Sequence, residues 1–231
     1  MIPIRDTIRS RSFPFVNWAI IILNSLVFFY QFNLPDSQLD RFVQTFALVP
    51  SQITSNPLSW YPFLTHIWLH GSLLHIIGNM WVLLIFGDNV EDRLGSVRYL
   101  IFYLLGGIAA GLLEYFFSAG SSVPALGASG AIAAVMGAYL VFYPRAKVVT
   151  FVPIFFFGWF VRISSFVFIG LWFLLQLFSG VSSLSAAAGT QVSGVAWWAH
   201  VGGFLFGLLL AKPFCLGICQ RQEYADEHYP W

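Results

Sequence analysis

Charge is what this chain has least of. Asp, Glu, Lys and Arg together make up 9% of its 231 residues, whereas an average soluble domain carries about 25%. Too few charges are present to clothe a water-facing surface, so a soluble globule is excluded. The formal net charge is +1 and no basic tract occurs, which leaves nothing to bind nucleic acid. Cysteine is nearly absent: Cys215 and Cys219 stand alone. A CLGIC spacing does not make a disulfide framework, and a four-ligand zinc site would need two further partners. The pair is left with a juxtamembrane lipidation site or no chemical role. No internal repeat is visible, which sets aside a small transporter built from repeats and broken helices.

What is present is apolar. The chain is 58% hydrophobic and 19% aromatic. A spanning helix needs about 20 mostly apolar residues, and six stretches qualify as candidates: Phe15–Phe32, Phe63–Phe86, Tyr99–Phe117, Ala128–Tyr143, a region within Val148–Phe178, and Val195–Ala211. The expectation is an all-α, polytopic membrane protein. It forms one domain over residues 1–231, with its core at about 15–211 and short cytoplasmic tails at 1–14 and 212–231. The first stretch follows Arg5, Arg9 and Arg11 but lacks a small-residue cleavage site, so it reads as an uncleaved helix. Val148–Phe178 is interrupted by Pro153, Gly158 and Arg162 and is read as one pass with an interfacial lead-in.

Basic residues favour the cytoplasmic side of a membrane. With six passes and the N-terminus inside, Arg5, Arg9, Arg11, Arg93, Arg98, Arg145, Lys147, Lys212 and Arg221 lie inside, only Arg41 lies outside, and Arg162 falls on neither side unambiguously. The expected location is a plasma (inner) membrane with both termini cytoplasmic.

Polar side chains inside such helices are costly and mark function by default. Four stand out: His75, Asn79, Ser129 and His200. Six passes bring all four to one depth near the outer face. A serine hydroxyl needs a base within about 2.6–3.2 Å to become a nucleophile, and histidine titrates near working pH. Ser129 and His200 therefore make a candidate dyad. The only acidic residue in a predicted span is Glu114 and no predicted span holds an Asp, so packing has to orient the imidazole and aspartyl chemistry is excluded. His75 and Asn79 are four apart on one helical face. With the Ser129 backbone N–H they offer donors to an oxyanion. Gly127 and Gly130 flank the serine, and Gly203 and Gly207 have the small-xxx-small spacing that lets helices approach closely. His66 and His70 have ligand spacing, but HIWLH lacks the glutamate of H-E-x-x-H, so no metal is expected. They read as hydrogen-bonders lining the outer end of the second helix.

Three motifs together resemble the rhomboid intramembrane serine proteases, over about Ser59 to Ala211. HGSLLHIIGN carries the His-x-x-x-Asn pair, GASG the serine loop, and AHVGGFLFG the histidine helix; FGDNVEDRLGSVRYLIFYLLGG also resembles the junction of the family's second and third helices. The resemblance implies a six-helix bundle with no cofactor. Ser129 would be the nucleophile, His200 the base, and His75, Asn79 and the Ser129 amide the oxyanion hole. The partners implied are transmembrane protein substrates, cut near the outer face, and the lipid bilayer; the oligomeric state stays open. Ser179–Gly194 would be a mobile cap and the fifth helix a lateral gate. Two positions depart from the family pattern. Ala133 stands where many members carry an aromatic against the histidine, which leaves support to Trp197, Trp198 or the fifth helix. Trp60-Tyr61-Pro62 lacks the Arg that many members carry there. A catalytically silent relative that binds membrane segments is the alternative, marked by loss of Ser or His; both residues are present.

Overall fold

The computed structural model describes residues 1–56, 58–154, 157–185, 195–217 and 219. In chain order it has a strand β1 (Ile2–Asp6), the helices α1 (Phe15–Phe32), α2 (Asp36–Phe46), α3 (Pro50–Ser55) and α4 (Pro62–Thr65), a single 3-10 turn (His66–Trp68), and the helices α5 (Leu73–Leu94), α6 (Ser96–Ser118) and α7 (Ser129–Phe142). The strands β2 (Lys147–Ile154) and β3 (Phe157–Ser164) and the helices α8 (Ser165–Ser185) and α9 (Trp197–Cys215) complete it. Five of these helices are long and apolar enough to cross a membrane: α1, α5, α6, α8 and α9. The shorter apolar α7 makes the sixth member of the bundle. The protein is thus a helical, multi-pass membrane protein.

Helix α7 sits at the centre. Ala131, Ala133, Ala134, Val135, Ala138 and Tyr139 along it are wholly buried. At 1.5 Å per residue its 14 residues reach roughly 21 Å. A hydrocarbon core of about 30 Å exceeds that, so one end of α7 lies inside the membrane thickness. The lipid-facing surface is apolar in turn: Phe15, Leu26, Phe29, Phe166, Leu175 and Phe178 on α1 and α8 are all exposed. This is the inside-out distribution that a lipid solvent permits.

The sequence expectation holds for a helical bundle and shifts at several boundaries. The second span starts at Leu73, where the Ser72 hydroxyl caps it by accepting from the His75 amide at 3.2 Å. It runs on through Gly87–Leu94, past the expected end at Phe86, because no proline intervenes before the chain turns at Gly95. Gly95 adopts φ +76°, which costs a glycine least, and turns the chain directly into α6. Asp88, Glu91 and Asp92 therefore lie on a long apolar helix, contrary to the expectation that no span holds an Asp. The long Asn33–Tyr61 connection is structured as α2 and α3.

The fifth region is corrected more deeply. Its first half is an antiparallel hairpin, not a helical lead-in: Lys147 pairs with Ser164 and Pro153 with Gly158. KVVTFV and FVRIS are rich in β-branched and aromatic residues, which suit a pleated surface. Strand β1 adds to β2, pairing Ile2 with Phe151 and Asp6 with Val148. Residues 2–6 of the segment expected as the N-terminal tail are consequently part of a sheet. The three strands lie at the end of α7 remote from Ser129, since β2 follows that helix directly. One pass remains, α8, and it includes the beginning of the stretch expected as a cap; residues 186–194 of that stretch lie outside the described residues. At the far end α9 continues past Ala211 to Cys215. There the chain turns back, Cys219 N–H donating to the Cys215 carbonyl at 3.1 Å. Cys215 and Cys219 form a disulfide with Cα atoms 5.1 Å apart, a pairing the sequence reading did not expect. The turn sets the two residues on one side, at ordinary disulfide separation.

Candidate active site

Ser129 is the first residue of α7. The loop before it is fixed at three points. Leu48 and Ala125 exchange two backbone hydrogen bonds, of 2.9 and 2.8 Å. The Gly127 N–H donates to the His66 carbonyl at 2.9 Å. Gly127 itself has φ +128°, and a methyl built there would stand 2.7 Å from His75 Cε1 and 3.7 Å from Asn79 Nδ2. Both the backbone conformation and the crowding require glycine here. The same contact shows that the serine loop lies directly against the His75 and Asn79 side chains.

His200 is four residues into α9. Close approach of α9 to α7 brings it to the serine. A methyl at Gly203 would collide with the Gly130 carbonyl, one at Gly207 with the Ala134 carbonyl, and one at Gly137 with the Phe204 carbonyl. With no side chain at these three crossing points the backbones touch. Ser129 Oγ and His200 Nε2 then stand 2.8 Å apart. The first turn of α9 is held from α6: the Ala199 N–H donates to Glu114 Oε2 at 3.1 Å, while Ser118 Oγ donates to Glu114 Oε1 at 2.9 Å. Glu114 thus acts as a cap in trans on a helix start that has no side-chain cap of its own.

The imidazole is oriented by α8. His200 Nδ1 stands 2.7 Å from Gln176 Oε1. Trp172, one turn earlier on α8, and Trp197 flank the ring at 5.9 and 6.2 Å between centroids. Of the three supports that the sequence offered in place of an aromatic at Ala133, Trp197 and the fifth helix touch the histidine; Trp198 stacks on Phe117 at 3.8 Å instead. Packing alone is therefore not what orients His200. The sequence reading missed Gln176, although an amide inside GLWFLLQLFSG is an intramembrane polar group of the kind that marks a functional position.

His75 and Asn79 lie one turn apart on α5, and Asn79 Nδ2 is buried without an acceptor among the described residues. A buried amide donor without a partner is costly and points to an acceptor supplied by a bound group. His66 and His70 precede α5 rather than line it. His66 Nδ1 is 2.8 Å from the Pro62 carbonyl, and burial lowers its pKa to about 4. The His70 ring packs on His75 at 5.1 Å, and burial, with His75 nearby, lowers its pKa to about 3. His70 is tied to α1 through its backbone, its N–H donating to Gln31 Oε1 at 3.1 Å.

These contacts define a class: a helical membrane protein with a serine hydroxyl bonded to an imidazole inside the bundle, and beside it an amide unpaired among the described residues. The Rhomboid domain model matches residues 57–216, and the chain belongs to the rhomboid family. It is 32% identical over 168 residues to the presenilin-associated rhomboid-like protein A, mitochondrial, of Danio rerio, covering 67% of this chain and 38% of that protein. It is 29% identical over 233 residues to RHOMBOID-like protein 1 of Arabidopsis thaliana, covering 88% and 54%. It is 30% identical over 154 residues to RHOMBOID-like protein 6, mitochondrial, of the same plant, covering 67% and 41%. The chain thus spans between 38% and 54% of these relatives' length.

Proposed function

We propose that the chain is a single-domain intramembrane serine endopeptidase that cleaves transmembrane segments of other proteins near the outer face of the membrane. The observation that carries this reading is the 2.8 Å contact between Ser129 Oγ and His200 Nε2, enclosed by apolar helices. A hydroxyl in that contact passes its proton to the imidazole as Oγ attacks a peptide carbonyl. The carbonyl oxygen becomes an oxyanion, for which the Asn79 amide, the His75 ring and the Ser129 N–H are the donors. Collapse expels the amine, which takes the proton from His200. A water molecule then gives a proton to His200 as its oxygen attacks the acyl carbon, and Ser129 Oγ takes that proton back as the new carboxylic acid leaves. Gly127, Gly130, Gly203 and Gly207 provide the room these groups need.

The basic-residue asymmetry supports cytoplasmic termini in a plasma membrane. Tagging either end and probing protease access in intact cells tests this, and a terminal tag that is cleaved in intact cells overturns it.

The test of activity is a fluorophosphonate probe on the purified, detergent-solubilised protein, with the labelled residue mapped by mass spectrometry. Labelling of Ser129 that is lost in His200→Ala supports the protease. Absence of labelling in folded protein whose site is open to a small-molecule probe overturns it in favour of a silent binder of membrane segments.

A further inference from the structure

Gln176 is buried and makes two contacts that together leave no freedom in its orientation. Its Nε2 donates to the Trp172 carbonyl at 3.3 Å, one turn back on α8, while its Oε1 faces His200 Nδ1 at 2.7 Å. An amide oxygen only accepts, so the proton of this bond belongs to Nδ1. A neutral imidazole carries one N–H, and Nε2 is then the lone-pair nitrogen. That is the nitrogen 2.8 Å from Ser129 Oγ. The opposite tautomer would put a proton on Nε2, facing the hydroxyl it has to deprotonate, and two oxygen and nitrogen lone pairs would face each other across the Gln176 contact.

We infer that Gln176 is the positioning residue of the active site, holding His200 as the Nδ1–H tautomer through a chain that runs from the Trp172 carbonyl to Ser129 Oγ. The inference rests on the protease reading and deepens it. The amide does from α8 what a carboxylate does in a serine–histidine–aspartate triad, where the acceptor at Nδ1 fixes tautomer and ring direction. A neutral acceptor suits a site in an apolar bundle, because an unpaired carboxylate there would be expensive to bury. The residue sits on the least buried of the five long apolar helices.

The experiment compares wild type, Gln176→Leu and Gln176→Glu in fluorophosphonate labelling of Ser129, resolving the maximal inactivation rate from probe affinity, each at its own optimal pH. Leucine has a similar size and no acceptor; glutamate keeps an oxygen in the same place. Loss of one net hydrogen bond and of tautomer control predicts that Gln176→Leu labels about tenfold to a hundredfold more slowly. Probe affinity is expected to stay unchanged, and Gln176→Glu to recover most of the rate. A leucine variant within about twofold of wild type overturns the inference, as does an equal loss in both variants. Should the leucine variant fail to fold, Gln176→Met, unbranched and without a carbonyl, takes its place with the same two outcomes. Wild type that does not label Ser129 at all refutes the protease reading itself, which separates the two failures.

Discussion

Gly203 on α9 faces the backbone carbonyl of Gly130 on α7 so closely that no Cβ fits between them. Gly130 follows the serine directly and Gly203 lies one turn beyond the histidine. The separation of Ser129 from His200 is thus set by backbone contact, not by side-chain packing. Gly203→Ala is expected to push the helices apart, at a cost of roughly 1–3 kcal/mol for overpacking, and to abolish labelling of Ser129. Melting in detergent and probe labelling, measured together, check this; a stable, fully labelled variant would contradict it.

Asn79 carries a buried donor with no acceptor among the described residues. Removing one oxyanion donor typically costs on the order of 10²–10³ in kcat. Asn79→Ala is therefore expected to lower kcat by about that factor on a transmembrane substrate, with KM little changed. A variant with raised KM and normal kcat would assign the amide to substrate binding instead.

Glu114 matters through the helix start it caps. Glu114→Ala leaves the Ala199 N–H without its acceptor, for a loss of about 1–3 kcal/mol. The expected signature is a lower unfolding temperature with a proportionate fall in activity, since His200 follows Ala199 directly. Glu114→Gln, which keeps one acceptor, should lose less. Equal effects of the two substitutions would argue against the cap.

The remote end of the bundle carries a pH dependence. Asp6 Oδ2 accepts from Tyr139 Oη at 2.5 Å and from Asn89 Nδ2 at 2.9 Å, which fastens β1 to α7 and α5. Burial, with the Asp88 carboxyl adding to it, raises the Asp6 pKa from 3.8 to about 7. A folded-state pKa above the unfolded one favours the protonated form in the fold. Its stabilising contribution is complete below about pH 4 and is lost as pH rises through about 7. Unfolding temperature followed from acid to neutral pH should fall over that window in wild type. The fall should shrink in Asp6→Asn, and an identical pH profile for the two proteins would rule out Asp6 as its source.

Much of this was legible in the sequence, for physical reasons that differ from residue to residue. The six apolar stretches were readable because lipid leaves a chain no option but helices with satisfied backbones. His75, Asn79, Ser129 and His200 were readable because a polar side chain in such a helix is conspicuous. Gln176 was visible on the same ground and was passed over, since its partner lies on another helix, 24 residues away. The hairpin Lys147–Ser164 was misread because an apolar run interrupted by Pro153 and Gly158 satisfies a helix count as readily as a strand pattern when flanked by true spans.

The sequence alone determined the solvent of this protein, its number of apolar stretches and the residue types able to do chemistry, because composition and periodicity are local quantities. The tertiary structure alone decided which nitrogen of His200 faces Ser129, that Glu114 caps the helix start before that histidine, and that Asp6 fastens the N-terminal strand to Tyr139, 133 residues away. Those bonds depend on how closely α7 and α9 cross and on where α8 comes to rest, and helix approach is a property of paired surfaces that no single stretch of chain encodes.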